Sequence, residues 1–255
     1  MADLVSELHG IPTLEERDPI LRGTLTGLQR GSLIQGEPFD NLVASLISLF
    51  HTTTSELSQE HLSKARTELV LNLPQLSGTL APGQLNWTPE MLPLMLREVP
   101  AQTPLSVYGR AAHWVYTALA LHTSPAPFYQ FDARLGWLEP LPMQYGSGIN
   151  PEIVFEAEEH EQFAILHSTL RTHNLDYIQS SHLSVPPLSL KKGLVISGKL
   201  PLWLASSLAL FYQQAGIPWI AGYYPQKQGA VVVFSHLSMY ALGDLIPNAR
   251  NSHNY

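Results

Sequence analysis

The sequence predicts an α/β protein made of two tandem α/β modules related by a pseudo-twofold axis, with a helical extension at the N-terminus. The main observation is an internal repeat, in which a strand, a glycine, a basic residue and a tryptophan-bearing helix recur at a constant offset. The matched positions are Gly109 with Gly198, Arg110 with Lys199, Trp114 with Trp203, and Leu119-Ala120-Leu121 with Leu208-Ala209-Leu210. Any apolar strand before an amphipathic helix shares part of this pattern, but the matched glycine, basic residue and tryptophan favour duplication. Strands alternate with helices in both copies, which favours a sheet with helices on it in each.

Composition limits the possible functions. The chain has 255 residues, of which 45% are hydrophobic and 14% charged, an ordinary composition for a compact protein at the low-charge end. A net charge of −7 argues against a surface for double-stranded nucleic acid, yet it permits a small nucleotide held by a few local cations. Because cysteine is absent, a metal would need histidine, aspartate or glutamate ligands. No leader or membrane-length apolar run is evident, so we expect a cytoplasmic protein without membrane contact.

Residues 1–65 are the predicted N-terminal arm and helices. Turn-forming residues dominate positions 1–36, which predicts an extended or wrapping arm. Asp40 is a suitable N-cap for a first helix, and a second helix is expected from near Ser55 towards Arg66. Neither helix has a counterpart in the repeat.

Residues 66–148 form the first predicted module. A strand at 69–73 is followed by a segment that five prolines interrupt, up to Pro100. A strand at 105–108, a helix at 111–122 and a strand at 128–131 complete the module. The Gly146-Ser147-Gly148 stretch is the expected boundary between the copies.

Residues 149–255 form the second predicted module. Strands at 153–155 and 163–167 are expected to pair antiparallel. A strand at 194–197 then leads into a helix at 201–214, with Gly216 as its C-terminal stop. The last two predicted strands, 219–223 and 230–234, form a hairpin.

The two strand–glycine–helix junctions are candidate ligand sites. A chain that leaves a strand at Gly109 or Gly198 and enters a helix presents unpaired backbone N–H groups and a positive dipole end. Arg110 and Lys199 add a cation at each junction, so the pattern predicts two phosphate seats related by twofold symmetry. A single junction of this type would be weak evidence, because many such basic residues are only solvated.

Two further pairs are candidates for chemistry. Asp132 and Arg134 follow the strand at 128–131; they form either an ion pair that caps a turn, or a metal ligand or base beside a phosphate-binding arginine. The residues alone favour the first interpretation. Ser235 and His236 follow a valine-rich strand, where a histidine is a structural residue, a ligand or a base that acts near neutral pH.

The second module resembles a CRISPR-associated family. The resemblance is carried by the segments KGLVISGKLPLWL at 192–204, AVVVFSH at 230–236 and GDLI at 243–246. They are similar to the manganese-dependent ring nucleases of type III CRISPR systems, which degrade the second messenger cyclic tetra-adenylate. The resemblance implies short α/β modules that assemble symmetrically, with active sites between the subunits.

The two copies depart from that family in complementary ways. Tyr224-Pro225-Gln226 stands where the family has Asp-Pro-Arg, whereas the first copy keeps Asp132-Ala133-Arg134. The first copy also has His122 near the position of the family's upstream histidine, but it lacks the terminal Ser-His. The resemblance therefore implies a fused pseudo-dimer with one composite site, or one that has lost catalysis and only binds.

The leading prediction is a ring nuclease that binds and cleaves cyclic tetra-adenylate and so regulates type III CRISPR immunity. Its predicted catalytic residues are Asp132, His236, Arg134 and His122, its ligand-binding residues Gly109, Arg110, Gly198, Lys199 and Ser235, and its Mn²⁺ ligands Asp132 and His236. Manganese suits oxygen and imidazole ligands and would neutralise phosphodiester charge. The alternative is a catalytically silent sensor or sponge, or a subunit that docks on other type III CRISPR proteins or on itself. A structural subunit of a ribonucleoprotein is disfavoured by the acidic balance.

Overall fold

The computed structural model describes residues 58–84, 86–172, 175–178, 180 and 182–247. The chain divides into two compact units, Met1–Ala65 and Arg66–Tyr255. In the first unit, residues 58–63 are helical, within the helix expected from Ser55. The predicted arm and the helix at Asp40 lie outside the described residues.

The second unit is a mixed α/β structure, as predicted. Its elements in chain order are β1 (Leu69–Asn72), α1 (Leu73–Leu80), α2 (Met91–Glu98), β2 (Leu105–Tyr108), α3 (His113–Thr123), β3 (Phe128–Asp132), β4 (Gly136–Leu138), β5 (Gln144–Tyr145), β6 (Ile153–Glu159), β7 (Phe163–Leu170), β8 (Ser184–Val185), β9 (Gly193–Gly198), α4 (Leu202–Ala215), β10 (Trp219–Tyr224), a 3₁₀ turn (Pro225–Lys227), β11 (Gly229–Ser235) and β12 (Leu245–Pro247). No helix in these described ranges has the length and apolarity that crossing a membrane requires.

The segment expected to be interrupted by prolines contains α1 and α2 instead. Pro74 lies in the first turn of α1, where a missing N–H removes no intrahelical hydrogen bond. Asn72 caps this helix, since its side-chain oxygen accepts from the Gln75 N–H at 3.4 Å. Pro93 is likewise in the first turn of α2. These two prolines therefore mark helix starts rather than interruptions.

Four neighbouring strands follow the same order in the two large sheets, β1-β2-β3-β4 in the first and β7-β9-β10-β11 in the second. The first sheet has the order β1-β2-β3-β4, with β1 to β3 parallel and β4 antiparallel. The second has the order β12-β11-β10-β9-β7-β6, in which β7, β9 and β10 are parallel and β11 is antiparallel. The expected antiparallel pairing of β6 with β7 is confirmed. A strand–helix–strand unit thus follows the same path in both sheets, as a duplication predicts; the duplication and the pseudo-twofold axis stay predictions.

Helices α3 and α4 pack against each other and contact both sheets. Every residue of α3 from Trp114 to Leu121 is buried, as expected for a helix that is apolar on all sides. In α4, the Ser206 hydroxyl donates to Gln130 Oε1 on β3 at 3.3 Å. One continuous hydrophobic core joins residues of both predicted modules, from Leu73 to Val233. The predicted boundary near Gly148 therefore does not separate two independent cores.

Candidate functional site

A basic residue follows five of the six parallel strands of the two large sheets, all except β1. We call the turns that follow the C-terminal ends of β2, β3, β7, β9 and β10 the carboxyl edge. Each of these turns carries an exposed basic residue: Arg110, Arg134, Arg171, Lys199 and Lys227. Ligands of open α/β sheets bind outside the carboxyl ends of the strands, so this distribution of charge defines the candidate site.

The carboxyl edges of the two sheets meet at the start of α3. The Trp114 ring, in the first turn of α3, contacts the Tyr224 ring at the end of β10, with centroids 5.9 Å apart. A Cβ placed on Gly222 would lie 2.8 Å from the Trp114 Cβ, so the helix packs directly on the β10 backbone. The junction after β2 in the first sheet is therefore next to the end of β10 in the second.

The Gly109 junction is closed by apolar groups. Gly109 has φ 110°, and a Cβ there would lie 2.2 Å from Pro74 Cδ, so only glycine fits. Its carbonyl accepts a hydrogen bond from the Tyr116 hydroxyl, which burial keeps protonated by raising its pKa. Arg110 follows as an exposed residue. Among the described residues no side chain caps α3, whose N-cap is Ala112.

The Gly198 junction has polar surroundings. Gly198 has φ 134°, and a Cβ there would lie 2.4 Å from the Ser168 carbonyl oxygen. Lys199 is exposed, and Pro201 begins α4 without a side-chain cap. The N–H groups of Leu202 and Trp203 consequently have no acceptor within the helix. This junction can accept an anion.

Asp132 caps the turn between β3 and β4. Its Oδ1 accepts from the backbone N–H of Arg134 at 2.8 Å and of Leu135 at 3.2 Å. The Arg134 Nε lies 3.6 Å from the same oxygen. This is the turn-capping ion pair that the residues alone favour. Both side chains lie at the carboxyl edge, with Lys199 and Arg110.

Ser235 and His236 lie at the opposite edge of the second sheet. Because β11 runs antiparallel to β10, Ser235 pairs with Trp219, the first residue of β10. The His236 N–H donates to the Pro218 carbonyl at 2.9 Å, and the Ser235 hydroxyl donates to the Leu237 carbonyl at 2.9 Å. The six residues of β10 span roughly 17 Å. The structure therefore does not bring His236 or Ser235 to Asp132, and the predicted composite pair is not assembled.

His122 is also remote from the carboxyl edge. It lies in the last turn of α3, where its Nε2 is 2.8 Å from the Val99 carbonyl oxygen and donates to it. The eleven residues of α3 place it roughly 16 Å along the helix from the Gly109 junction. His122 thus anchors the end of α3 to the segment after α2 and does not approach Asp132.

The predicted manganese site does not fit these positions. Its two expected ligands, Asp132 and His236, lie at different edges, and Asp132 Oδ1 already accepts two backbone hydrogen bonds. Across the described ranges there is no group of three or more His, Cys, Asp or Glu side chains that could hold a metal ion. We therefore derive no chemical step through a metal.

Arg171 and Lys227 are members of the carboxyl edge that sequence reasoning missed. Arg171 follows β7 directly, and Lys227 ends the 3₁₀ turn after β10. Lys227 lies near Glu90, at the start of α2. The pKa of Glu90 is lowered mainly by a hydrogen bond from Thr88, and the positive charge of Lys227 lowers it further. The available signal was positional for Lys227, which follows the predicted strand 219–223, whereas the strand predicted at 163–167 ends three residues short of β7 and leaves Arg171 four residues beyond it.

One family model matches part of the chain. Residues 168–247 match the model described as CRISPR-associated protein (Cas_csx3). The match begins in β7, ends with β12, and includes all three segments that carry the resemblance noted in the sequence. It contains Gly198 and Lys199, whereas Asp132 and Arg110 precede it. This similarity indicates a CRISPR-associated protein.

Proposed function

We propose that this CRISPR-associated protein binds cyclic tetra-adenylate at the carboxyl edge. The observation that carries the proposal is the set of five exposed basic residues that follow five of the six parallel strands, in a chain of net charge −7. A cyclic tetranucleotide carries four phosphodiester charges in a compact ring, which suits a local group of cations on an otherwise acidic protein. The two junctions add helix N-termini that favour anions. Arg110 and Lys199 are the proposed phosphate contacts.

Binding without turnover is the function that the geometry supports best. The only acidic group of the predicted composite site at this edge, Asp132, is a turn cap, and His236 lies at the other edge. Cleavage of the bound ring is the second candidate, because Asp132 and Arg134 do lie at the carboxyl edge. In that case the site would act as a ring nuclease without the Asp132–His236 pair.

The test is binding of cyclic tetra-adenylate by isothermal titration calorimetry. We expect the Arg110→Ala, Lys199→Ala double variant to lose about 100-fold in affinity, at about 1.5 kcal/mol for each charged contact. The matched control is Arg97→Ala, Lys191→Ala, which removes the same charge from exposed positions away from the carboxyl edge. Equal losses in the two double variants would mean that net charge alone, rather than a site, drives binding.

Product analysis of the same mixtures separates the two candidates. The protein is incubated with labelled cyclic tetra-adenylate, with and without Mn²⁺, and linear products are resolved. Intact ligand in both conditions supports a sensor or sponge. Linear products that disappear in the Asp132→Ala variant would instead support cleavage at the carboxyl edge. Absence of binding by the unsubstituted protein would overturn the proposed function.

A further inference from the structure

We infer that Ser168 is a ligand-contacting residue, and that its hydroxyl donates to a phosphodiester oxygen seated at the Gly198 junction. The inference rests on the proposed function for the identity of the ligand, but not for the presence of an anion seat. It adds a residue that the sequence pattern did not single out. It also makes the Gly198 junction, rather than both junctions, the principal seat.

The Ser168 hydroxyl is buried beside the junction. The residue is 2% exposed, and its Oγ has no hydrogen-bond partner among the described residues. Ser168 pairs with Gly198 across β7 and β9. Strand alternation places it on the same face as Leu166, which belongs to the core that α4 shares. The side chain therefore lies on the face covered by α4, next to the start of that helix.

An unpaired buried hydroxyl is costly. Leaving such a group without a partner costs about 1–3 kcal/mol, and most buried polar groups are paired for this reason. An oxygen atom brought by a ligand would remove that cost. The Ser168 hydroxyl would then have a hydrogen-bond partner only in the bound state. It would therefore contribute to ligand affinity and not to the stability of the unliganded protein.

Besides the Ser168 carbonyl oxygen, which is an acceptor, this junction has further hydrogen-bond donors. They are the N–H groups at the start of α4, which have no acceptor in the helix, and the ammonium group of Lys199. A hydroxyl can donate as well. A cradle of donors at a positive helix end accepts an anion and rejects a cation. A phosphate oxygen is the ligand group that fits.

The corresponding junction of the first sheet lacks these properties. The Pro74 ring and the Leu73 Cβ lie against Gly109, at 2.2 Å and 3.6 Å from the position of a Cβ. The Gly109 carbonyl is already bonded to the Tyr116 hydroxyl. In the described part of the chain, the unpaired buried polar atoms in the first turn of α3 are ring nitrogens, His113 Nε2 beside Gly222 and Trp114 Nε1, and neither is a hydroxyl. The two junctions therefore differ in their ability to hold a phosphate oxygen. Arg110 contributes positive charge, but the Gly109 junction beside it does not provide a binding site for the oxygen.

The experiment compares Ser168→Ala with Ser106→Ala, another buried serine on a parallel strand. Ser106 has partners, because its Oγ accepts from the Arg66 N–H and the Thr67 hydroxyl. We expect Ser168→Ala to lose about 10-fold in affinity for cyclic tetra-adenylate with an unchanged or higher Tm. Ser106→Ala should show the reverse, a lower Tm with unchanged affinity. Unchanged affinity in Ser168→Ala, or a fall in Tm alone, would overturn the inference while leaving the proposed function intact.

A second probe separates the inference from the proposed function. Inorganic phosphate is titrated into the unsubstituted protein while amide NMR signals are followed. We expect the Gly198 and Lys199 signals to shift with saturation and the Gly109 signal to stay in place. If the protein does not bind cyclic tetra-adenylate but its Gly198 and Lys199 signals shift with phosphate, the proposed function is wrong and the anion site at Gly198 is supported. Equal shifts at both junctions, or none at Gly198, would refute the unequal seats without any variant.

Discussion

His113 should make the protein acid-sensitive in a defined way. The residue begins α3, and its Nε2 is buried without a hydrogen-bond partner in the described structure. Burial lowers the pKa of His113 to about 4, below its ordinary value of about 6.5 in the unfolded chain. Because the folded pKa is depressed, the unfolded chain takes up a proton first as the pH falls. Stability is therefore lost progressively between about pH 6.5 and about pH 4.

The magnitude follows from the two pKa values. Between pH 7 and pH 4.5 the unfolded state gains roughly 2–3 kcal/mol over the folded state from this one group. Replacement by leucine, the residue at the corresponding position of α4 (Leu202), removes the effect. The measurement is the free energy of unfolding by urea at both pH values for the unsubstituted protein and His113→Leu. We expect the variant to lose roughly 2–3 kcal/mol less on acidification, because all other groups contribute equally to both proteins. His236 is exposed, so the His236→Gln variant serves as the control for the loss of an imidazole. If stability depends on pH in the same way in His113→Leu and in the unsubstituted protein, the reasoning is refuted.

Two stability predictions concern the carboxyl edge. Asp132→Ala should destabilise the protein by about 1–2 kcal/mol in urea, because two backbone N–H groups of the turn lose their acceptor, whereas Asp132→Asn keeps an acceptor and should cost less. Equal effects of the two variants would show that the carboxylate charge, not the cap, matters. Gly198→Ala should lower the thermal stability more than Gly83→Ala. Both glycines have positive φ, 134° and 82°, but only at Gly198 would the new Cβ meet backbone, 2.4 Å from the Ser168 oxygen. The strain of positive φ alone is about 1–2 kcal/mol, so similar losses at the two positions would refute the close contact.

The strands and central helices could be predicted because each is a short apolar run bounded by glycine or a turn. Predicted strands such as 105–108 and 194–197 agree with β2 and β9 within a residue at each end. The helices of the proline-rich segment were missed, because a proline in the first turn of a helix has the same sequence signal as one that breaks a helix. The unpaired Ser168 hydroxyl has no sequence signal, since it depends on which face of β7 the helix covers. Lys227 could be predicted in principle as part of the turn of the predicted hairpin, whereas Arg171 could not, because the strand predicted at 163–167 extends to Leu170.

The misplacement of His236 has a topological cause. A hairpin between the last two predicted strands sends the second strand back along the first, so residues after it must lie at the edge where the first strand began. The hairpin is confirmed, with Tyr224 opposite Gly229 and Trp219 opposite Ser235. The correct prediction of the hairpin therefore already separated His236 from the ends of β9 and β10. The same reasoning keeps Asp132 at the carboxyl edge, because β3 is parallel to β2.

The hydrogen bonds and the ion pair of Asp132 bear on the choice between binding and turnover. To serve as a base or a metal ligand, the carboxylate would have to expose a lone pair while keeping the β3–β4 turn intact. Its Oδ1 is held by two N–H groups and approached by Arg134, so releasing that oxygen would cost about 1–3 kcal/mol, whereas Oδ2 takes no part in these contacts. The residue at the predicted catalytic position therefore positions Arg134 and its turn at the carboxyl edge through Oδ1, and any role as a base would fall to Oδ2. An Asp132→Asn variant that binds cyclic tetra-adenylate as the unsubstituted protein does, while Asp132→Ala binds it less well, would assign the residue to that positioning role.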